Sequence, residues 1–317
     1  MTGPRPTGRW SRNTRRRLRV RRMLKRILAW PILNPVITFL VKEIVVDGLD
    51  KRPGFIRSIP KRGLVRLDLP DGGAIRLLSP GDDRIVDRLF FRNWDGYEPG
   101  MGEAFFTVAR SAEVVLDIGA HVGFYSLLAT AATPGATVYA FEPLDRVRSR
   151  LERNIAINRA TIRVVPAAVG ASQGEINIYS DPFDAAPGES TLSGKVGAAK
   201  GFPSTSTVKV VTVDSFVSDR ALPRVDLVKI DTEATELDVL EGMQDTLATF
   251  HPVIFCEVLD DFADARRVEQ LTAPHGYRYW MLTSDGPVAR PGVIPDRDWP
   301  NYLLAVELPP GLDPART

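Results

Sequence analysis

The sequence alternates short apolar segments with longer amphipathic ones, and this alternation, which begins after Phe105, constrains the fold more than any other feature. The apolar segments have the length of buried strands, and the amphipathic segments have helical periodicity. The predicted strands are residues 114–118, 137–141, 162–165, 227–230, 253–256, 277–282 and 302–306. The predicted helices are residues 124–130, 145–158, 237–249 and 262–273. The pattern therefore predicts an α/β domain over residues 106–317, with a doubly wound, mainly parallel seven-stranded sheet.

The charge of the chain is divided unevenly along its length. The 317 residues carry a net charge of +2, but residues 1–30 contain eleven arginines and lysines and no acidic residue. The rest of the chain holds 30 basic and 39 acidic residues, a net charge of −9. A polycationic arm and an acidic body require separate explanations.

Residues 1–42 are predicted to form a basic arm that contains an amphipathic helix over residues 18–30. The apolar run over residues 27–41 is interrupted by two prolines and is shorter than the ~20 residues that a membrane-spanning helix needs. We expect residues 18–41 to make peripheral contact with an anionic membrane. Two alternatives stay open: the helix packs on the body, or its basic residues contact nucleic-acid phosphates.

The remaining composition favours a reducing compartment. No secretory cleavage site follows the apolar run, so we expect a cytoplasmic protein that contacts the inner membrane surface. Met23 is an alternative start that would remove much of the arm. The single cysteine, Cys256, excludes an internal disulfide framework and a cysteine-ligated zinc site. Because the three histidines are widely spaced, we expect no bound metal.

Residues 43–105 are predicted to form a small accessory or cap region. Over residues 43–94 the sequence shows short strand-like segments separated by turns. Residues 64–69 and 74–78 flank the turn Asp71-Gly72-Gly73, and the first of these segments alternates apolar and polar side chains. This arrangement predicts a half-exposed β-hairpin.

Residues 174–212 interrupt the strand–helix alternation of the main domain. Strand-like segments at 175–179 and 208–211 enclose a stretch rich in Gly, Ala, Ser and Pro that is too long for an ordinary connection. We consider two interpretations, a lid that covers a site and a solvated insertion without a function.

The first predicted strand of the domain leads into a turn with the sequence D-I-G-A-H-V-G over residues 117–123. Its glycines allow the backbone to turn sharply and approach a ligand, while the following helix presents free N–H groups. The spacing G-x-x-x-G, with Asp117 two residues before Gly119, differs from the G-x-G-x-x-G of dinucleotide sites. The turn therefore predicts a nucleoside-containing ligand and argues against a dehydrogenase.

Glu142 follows the second predicted strand, nineteen residues after Gly123. A carboxylate at this position can accept both hydroxyl protons of a ribose. The alternative role of Glu142 is structural, as the cap of the next helix.

These two motifs resemble those of class I S-adenosylmethionine-dependent methyltransferases, which have a Rossmann-like fold. The segment over residues 226–242, D-L-V-K-I-D-T-E-A-T-E-L-D-V-L-E-G, closely resembles the K-I-D-x-E-G-x-E-x-x-V-L-x-G signature of FkbM-type methyltransferases. Weaker similarities lie at residues 97–99, 167–170, 188–192 and 301–304. The resemblance thus spans Tyr97 to Val306, and the segment around Asp231 is its most specific part.

The resemblance implies S-adenosyl-L-methionine as the cofactor. The residues that it implies for cofactor binding are Asp117, Gly119, Ala120, Gly123, Glu142, Ala168 and Asp231. The first four would surround the methionine part, Glu142 would bind the ribose, and Ala168 would lie beside the adenine. Asp231 would also face the substrate, and we expect Asp231 and Glu233 to be catalytic. The family usually has glycine at position 234, where this chain has Ala234 followed by Thr235, and the added side chains narrow the loop.

The resemblance further implies an O-methyltransferase that acts on a hydroxyl of a sugar, a glycolipid or a polyketide-like natural product. A hydroxyl acceptor must lose a proton, and we favour Asp231 as the base over Glu236, Glu257 and His121. Alternatively, the same acids hold Mg²⁺. Two other functions stay open: an RNA 2'-O-methyltransferase that uses the basic arm, and a non-catalytic S-adenosylmethionine-binding module. We favour a small-molecule or glycolipid substrate over nucleic acid.

Overall fold

A computed structural model describes residues 34, 36, 38, 61–179, 204–232, 235–258, 262–296 and 298–314. Apart from three single positions, the predictions for the basic arm lie outside the described residues. Residues 180–203, which make up most of the stretch between the two predicted strands of the insertion, also lie outside them. The same is true of Glu233 and Ala234. Within the described ranges, no helix has both the length and the apolar character that crossing a membrane requires.

The described chain alternates strands and helices in the predicted order. The strands are β1 (Arg62–Asp68), β2 (Ala74–Pro80), β3 (Val114–Ile118), β4 (Thr137–Phe141), β5 (Ile162–Val165), β6 (Ala168–Val169), β7 (Gly174–Tyr179), β8 (Ser204–Val211), β9 (Leu227–Ile230), β10 (Val253–Glu257), β11 (Arg278–Thr283), β12 (Gly286–Arg290) and β13 (Asn301–Ala305). The α-helices are α1 (Arg84–Arg92), α2 (Met101–Ala109), α3 (Phe124–Ala132), α4 (Asp145–Asn158), α5 (Val213–Asp219), α6 (Glu236–Glu241), α7 (Gln244–Phe250) and α8 (Phe262–Thr272). Short 3₁₀ helices lie at Asn93–Gly96 and Ala273–His275.

The main sheet has the strand order β12-β11-β13-β10-β9-β3-β4-β5. Strands β10, β9, β3, β4 and β5 pair in parallel, while β13, β11 and β12 pair antiparallel at one end. This confirms the doubly wound, mainly parallel sheet, which carries the seven predicted strands. An eighth strand, β12, extends the sheet beyond β11. It lies at the sheet's edge, where Pro287 is tolerated.

Apolar side chains on alternate positions of the strands fill two cores, one on each face of the sheet. Val115 and Leu227 pack on one face with residues of α1, α2 and α3. Leu116 and Val228, the next residue of each strand, pack on the other face with residues of α5 to α8. Because the strands are covered on both sides, their sequences are almost wholly apolar. A charged residue within one of them therefore requires a specific partner.

Strands β1 and β2 form the predicted hairpin, paired antiparallel from Arg62 opposite Pro80 to Asp68 opposite Ala74. The buried side of the hairpin belongs to the same apolar cluster as one face of the main sheet. Helix α4 covers the outer edge of β2, because the side chains of Asn154 and Asn158 hydrogen-bond to backbone groups of that strand. The boundaries that we assign to the accessory region stay a prediction.

Residues 84–94 do not form the strand-like segments that the sequence predicts. Helix α1 occupies most of this stretch, and its first turn is capped by Asp83, whose carboxylate accepts hydrogen bonds from the N–H groups of Ile85 and Val86. Val86 and Leu89 bury one side of the helix against the hairpin. The correct signal was therefore the cap and the three-residue apolar spacing, which outweigh the local resemblance to a strand.

The predicted helix over residues 237–249 consists of two shorter helices, α6 and α7. They are separated at Gly242 and Met243, where the backbone of Gly242 packs against the carbonyl group of Gly170. A side chain at position 242 would overlap that carbonyl. The close approach of two backbones thus accounts for the break.

The insertion forms a small sheet with the order β6-β8-β7. Strands β7 and β8 include both predicted segments and pair antiparallel, and β6 adds a short parallel pairing to β8. The insertion is therefore anchored to the main domain at the end of β5.

Candidate active site

The turn after β3 is built by backbone contacts that only glycine permits at position 119. Gly119 has a φ of 85°, and a Cβ atom there would overlap the carbonyl oxygen of Asp231. The N–H groups of Gly119 and Ala120 both donate to the carbonyl of Phe141, at 3.1 and 3.0 Å. Asp231 closes the third side, because its N–H donates to Ile118. The ends of β3, β4 and β9 therefore meet at this turn.

Gly123 begins helix α3 with a φ of 89°. A Cβ atom there would crowd the side chain of Leu151 on α4. The buried side chain of Asn154, also on α4, donates to the carbonyl of Val122 at 2.8 Å. Helix α4 thus fixes the end of the turn and, with it, the direction in which the first N–H groups of α3 point.

Asp117 is fully buried at the end of β3. Its carboxylate accepts hydrogen bonds from the hydroxyl and the backbone N–H of Ser126 in the first turn of α3. Burial raises the pKa of Asp117 to about 6, and the hydrogen bonds from Ser126 oppose this effect. Asp117 therefore ties the strand to the helix below the turn.

Glu142 is buried at the end of β4. Its two oxygens accept hydrogen bonds from the N–H groups of Leu144, at 2.9 Å, and His121, at 3.2 Å. Burial raises the pKa of Glu142 to about 7, although both backbone donors oppose the increase. The contact with Leu144 satisfies an N–H group just before α4, as expected of a helix cap, but a carboxylate has further lone pairs for a ligand.

His121 lies within the turn with a φ of 50°. Both nitrogens of its ring are buried, and neither has a hydrogen-bond partner in the described part of the chain. A buried polar atom without a partner is costly and indicates a missing ligand or solvent contact. The turn is therefore polar and incomplete by itself.

Ala168 lies in β6, beyond the end of β5. It is buried in a small apolar cluster with Leu144 and Val147, from the start of α4. Its surroundings are therefore apolar, and they come from the start of α4 and from strands β7 and β8.

Asp231 lies directly after β9 and keeps 19% of its side chain exposed. Its Oδ2 atom is 3.2 Å from Nζ of Lys229, an ion pair whose angle falls outside that of a hydrogen bond. The hydroxyl of Tyr97 approaches the same oxygen at 3.5 Å. The ammonium group of Lys229 and the hydroxyl of Tyr97 thus both lie near Oδ2 of Asp231, at the edge of the site.

Lys229 is a fully buried cation in an otherwise apolar strand. Asp117 is its neighbour across the β3–β9 pairing, and its Nζ lies 5.1 Å from the centre of the Tyr125 ring. Burial lowers the pKa of Lys229, but the surrounding acids, Asp231 foremost and then Glu98, Glu257 and Asp117, outweigh burial and raise it above its ordinary value.

Glu98 precedes α2 and reaches the same cluster from the accessory segment. Its carboxylate accepts a short hydrogen bond from the hydroxyl of Tyr125, and the side chain of Asn301 also hydrogen-bonds to it. Burial raises the pKa of Glu98, and the charge of Lys229 opposes the increase. Acidic groups from four separate elements therefore surround one lysine.

The loop after Asp231 is described on both sides of Glu233 and Ala234. Glu236 accepts hydrogen bonds from the N–H and hydroxyl of Thr232, at 2.9 and 3.0 Å. Thr235 is buried, and its hydroxyl has no partner among the described residues. It borders a cleft of about 360 Å³ whose other walls are residues 169–176, Val210 and Asp238.

Among the described residues, no group of three or more His, Cys, Asp or Glu side chains has the arrangement of a metal site. The four acids near Lys229 instead interact electrostatically with its ammonium group. Of the predicted site residues, the structure brings Asp117, Gly119 and Asp231 into direct proximity.

Three residues of this region had no assigned role in the sequence analysis. Tyr97 and Glu98 belong to a weak motif more than a hundred residues before Asp231, and Lys229 lies within the specific motif. For Lys229 a signal was available, because a lysine in a strand buried on both faces needs a counter-charge. For Tyr97 and Glu98 local sequence gave no indication of which strand ends they approach.

The strand order, the glycine turn after β3 and the acid after β4 together define a class I S-adenosylmethionine-dependent methyltransferase fold. A model of the methyltransferase FkbM domain matches residues 117–279, just over half of the chain. The chain belongs to the FkbM family of S-adenosylmethionine-dependent methyltransferases, which confirms the resemblance seen in the sequence.

Three curated relatives illustrate this similarity. The chain is 31% identical over 245 residues to the AMB antimetabolite synthetase AmbE of Pseudomonas aeruginosa, in a match that covers 66% of the chain and 11% of that protein. It is 27% identical over 235 residues to the 31-O-demethyl-FK506 methyltransferase FkbM of Streptomyces tacrolimicus, covering 67% and 88%. It is 30% identical over 148 residues to the hexuronic acid methyltransferase AglP of Haloferax volcanii, covering 46% and 56%. The chain thus spans about a tenth of the first relative and most of the second.

The residues at the ends of β3 and β4 fit S-adenosylmethionine. The turn at Gly119 has no room for a side chain, His121 offers buried ring nitrogens without a partner among the described residues, and Glu142 can accept further hydrogen bonds. These groups suit a ligand with hydroxyl, amino and carboxylate groups.

Proposed function

We propose that the protein is an O-methyltransferase that transfers a methyl group from S-adenosylmethionine to a hydroxyl of a sugar, a glycolipid or a polyketide-like product. The observation that carries this proposal is the position of Asp231, a partly exposed carboxylate on the strand next to the cofactor turn. Two relatives support it by their names, a 31-O-demethyl-FK506 methyltransferase and a hexuronic acid methyltransferase.

In this proposal, the residues around the turn hold the cofactor. Asp117, Gly119, Ala120 and Gly123 surround its methionine part. Glu142 accepts hydrogen bonds from the ribose hydroxyls, and Ala168 contributes to the apolar surface beside the adenine. These assignments come from the resemblance to the family, and the positions of the three strand ends and the geometry of the turn support them.

When bound, S-adenosylmethionine supplies a methyl group on a positively charged sulfur, which a nucleophile attacks in line. The contribution of the chain is to align the acceptor and to take up its proton. We propose that Asp231 takes up the proton of the acceptor hydroxyl. The bound cofactor would give its methyl group to the acceptor oxygen as the methyl–sulfur bond breaks, which would leave a neutral thioether. Glu233, two residues further along, is proposed as a second acid at the acceptor.

Binding of the cofactor is the first test. Isothermal titration with S-adenosylmethionine should give a saturable signal. Absence of that signal would contradict every methyltransferase function proposed for this chain. The purified protein is next incubated with labelled S-adenosylmethionine and a set of sugars, glycolipids and macrolides, and with RNA. Label in a hydroxyl-bearing small molecule supports the proposal, whereas label confined to RNA contradicts it.

A cofactor-binding module without turnover is a second candidate. It is favoured by Thr235, which is buried and whose hydroxyl has no partner among the described residues. Together with Ala234, this side chain is expected to narrow the loop that follows Asp231. Cofactor binding with no methyl transfer to any acceptor of the set would support this candidate. Recovery of turnover in Ala234→Gly would instead show that the loop alone limits activity.

We also propose that the basic arm places the protein at an anionic membrane surface. The eleven basic residues among residues 1–30 account for this proposal, since basic side chains near a surface contribute roughly 1 kcal/mol each. Removal of residues 1–30 should abolish sedimentation with phosphatidylserine vesicles and leave the methylation rate of a soluble acceptor unchanged. An unchanged vesicle affinity would refute this role of the arm.

A further inference from the structure

We propose that Lys229 is a positioning residue for methyl transfer: its buried ammonium holds the carboxylate of Asp231 ionised and fixes which of its oxygens meets the acceptor. The inference rests on the proposed function of Asp231 as the base and deepens it. It concerns a side chain that lies within the FkbM domain but has no assigned role.

The first argument is the geometry of the ion pair. Nζ of Lys229 lies 3.2 Å from Oδ2 of Asp231, and the hydroxyl of Tyr97 approaches the same oxygen. No donor from the described part of the chain contacts Oδ1. Because the ammonium group of Lys229 and the hydroxyl of Tyr97 both lie near Oδ2, Oδ1 is left for the proton of the acceptor.

The second argument is burial. Lys229 has no exposed surface, whereas the side chain of Asp231 keeps 19% of its own. A buried ammonium is tolerated only with a compensating negative charge, so breaking the pair leaves an uncompensated charge. Lys229 is thus held inside the protein on strand β9. Asp231, which is partly exposed, is the member of the pair that can reach a substrate.

The third argument is the crowding of acids around Asp231. The titratable groups that face this region are Tyr97 and Glu98 before α2, Asp117 on β3, Tyr125 on α3, Glu236 on α6, and Cys256 and Glu257 on β10. All of the acids among them disfavour a negative charge on Asp231, and Lys229 is the cation in direct contact with it. Without the lysine the neighbouring acids would remain, and the negative charge of Asp231 would be less stabilised.

The direction in which the pH profile of kcat/KM shifts distinguishes a positioning role of Lys229 from a general structural role. Lys229→Met preserves much of the side-chain volume but removes the charge. We expect the acid limb of the kcat/KM profile to move to higher pH by about one to two pH units, since an adjacent opposite charge has an effect of that size. On the acid limb, kcat/KM should therefore fall about ten- to a hundredfold below that of the native protein, and the loss should disappear above the shifted midpoint, with KM for S-adenosylmethionine changed little.

Two variants control the experiment. Lys229→Arg keeps the positive charge and should retain the acid limb of the native protein. Lys209→Met removes an exposed lysine from strand β8 and should leave the profile unchanged. A profile for Lys229→Met that keeps the native midpoint, or a loss of activity that is equal at all pH values, would overturn the proposal.

A second measurement does not depend on turnover. In the protein without cofactor or acceptor, ¹³C-labelled aspartate carboxyl groups are titrated by NMR, with the Asp231 signal identified by its loss in Asp231→Asn. We expect its midpoint to move to higher pH in Lys229→Met, and an unchanged midpoint contradicts the inference even if the native protein methylates a hydroxyl. Conversely, a shifted midpoint in a protein that methylates no acceptor supports the ion pair and refutes the proposed function.

A third measurement covers failure of Lys229→Met to fold. In the native chain labelled with ¹³C at the lysine ε-carbons, the chemical shift of Lys229 is followed by NMR as the pH is changed. It should show a step when Asp231 takes up a proton, and this step should be absent in Asp231→Asn. A Lys229 signal that does not respond to pH over the range in which Asp231 titrates would overturn the coupling.

Discussion

The two halves of the candidate site are built by different means. The turn after β3 is formed mainly by backbone contacts. Gly119 and Gly123 adopt conformations that disfavour side chains, and backbone N–H groups donate hydrogen bonds to the carboxylate of Glu142. At the end of β9, side-chain charges dominate, because Lys229 and Asp231 form an ion pair among further acids. Backbone contacts tolerate changes of pH, whereas a cluster of charges responds to them.

This difference predicts how the two halves fail. Damage to the turn should appear as lost stability and altered cofactor affinity, with little change in the pH dependence of the methyl-transfer rate. Damage to the charge cluster should appear as a changed rate and a changed pH profile, with cofactor affinity largely kept. The following variants test whether the two halves separate in this way.

The largest effect is expected for Asp231→Asn. The amide keeps the shape of the side chain but cannot take up the acceptor proton, so kcat should fall by roughly 10²- to 10⁴-fold. Part of the cofactor affinity should persist in isothermal titration. Asp285→Asn, in the exposed turn before β12, is the matched control and should retain full activity. Turnover of Asp231→Asn at the native rate would remove Asp231 from the mechanism.

Gly119→Ala tests the backbone half. Its Cβ atom would overlap the carbonyl of Asp231 at a φ that L residues rarely adopt, so we expect a loss of about 3 kcal/mol or more in the free energy of unfolding. Urea denaturation measures this change. Gly135→Ala is the control, because nothing lies within 4 Å of a Cβ atom there. Equal stabilities of the two variants would show that the turn is not tightly built.

Glu142→Gln tests the proposed contact with the ribose. The pKa of Glu142 is raised to about 7 by burial, so the ionised form that accepts two hydroxyl protons disappears as the pH falls through 7. We expect cofactor affinity in the native protein to weaken between pH 8 and 6. The variant should bind about tenfold more weakly at pH 8 and lose this pH dependence, since a neutral amide makes weaker hydrogen bonds than a carboxylate.

The exposed Glu152 of helix α4 provides the control for that substitution. Glu152→Gln should bind the cofactor as the native protein does at every pH. If Glu142→Gln also keeps native affinity at pH 8, Glu142 acts only as a cap for α4.

The smallest effect is expected for Tyr97→Phe. The ring, which contacts Phe124, is kept, and only the hydroxyl 3.5 Å from Asp231 is lost. Because this contact is long, we expect a loss of only about threefold in kcat. Tyr277→Phe removes a tyrosine hydroxyl bonded to Pro252, before β10, and should reduce stability without changing kcat. A larger loss for Tyr277→Phe would contradict a specific role for Tyr97.

Much of the fold followed from local patterns. Strands β3, β4, β5 and β9 have the predicted bounds, because each is a short, mostly apolar run closed by a polar residue, a glycine or a proline. The hairpin was predictable for the same kind of reason, since Leu67 and Leu77 alternate with exposed residues around a glycine turn. Such signals lie within a few residues of the structure that they specify.

The errors and omissions involve contacts between distant segments. The break between α6 and α7 depends on Gly170, which lies about seventy residues before Gly242. The approach of Glu98 to Lys229 depends on how the accessory segment packs on α3. A motif gave the position of Asp231, but the residues that set its charge come from other parts of the chain.

The contact between Gly119 and the backbone of Asp231 has a consequence for how acceptors can change. Strands β3 and β9 are hydrogen-bonded neighbours, so the backbone of the cofactor turn and that of the proposed base are held about one strand spacing apart, roughly 4.8 Å. The sheet therefore fixes the position of Asp231 relative to the turn. A new acceptor would be accommodated by altering the surrounding loops, while the spacing between the turn and Asp231 stays constant.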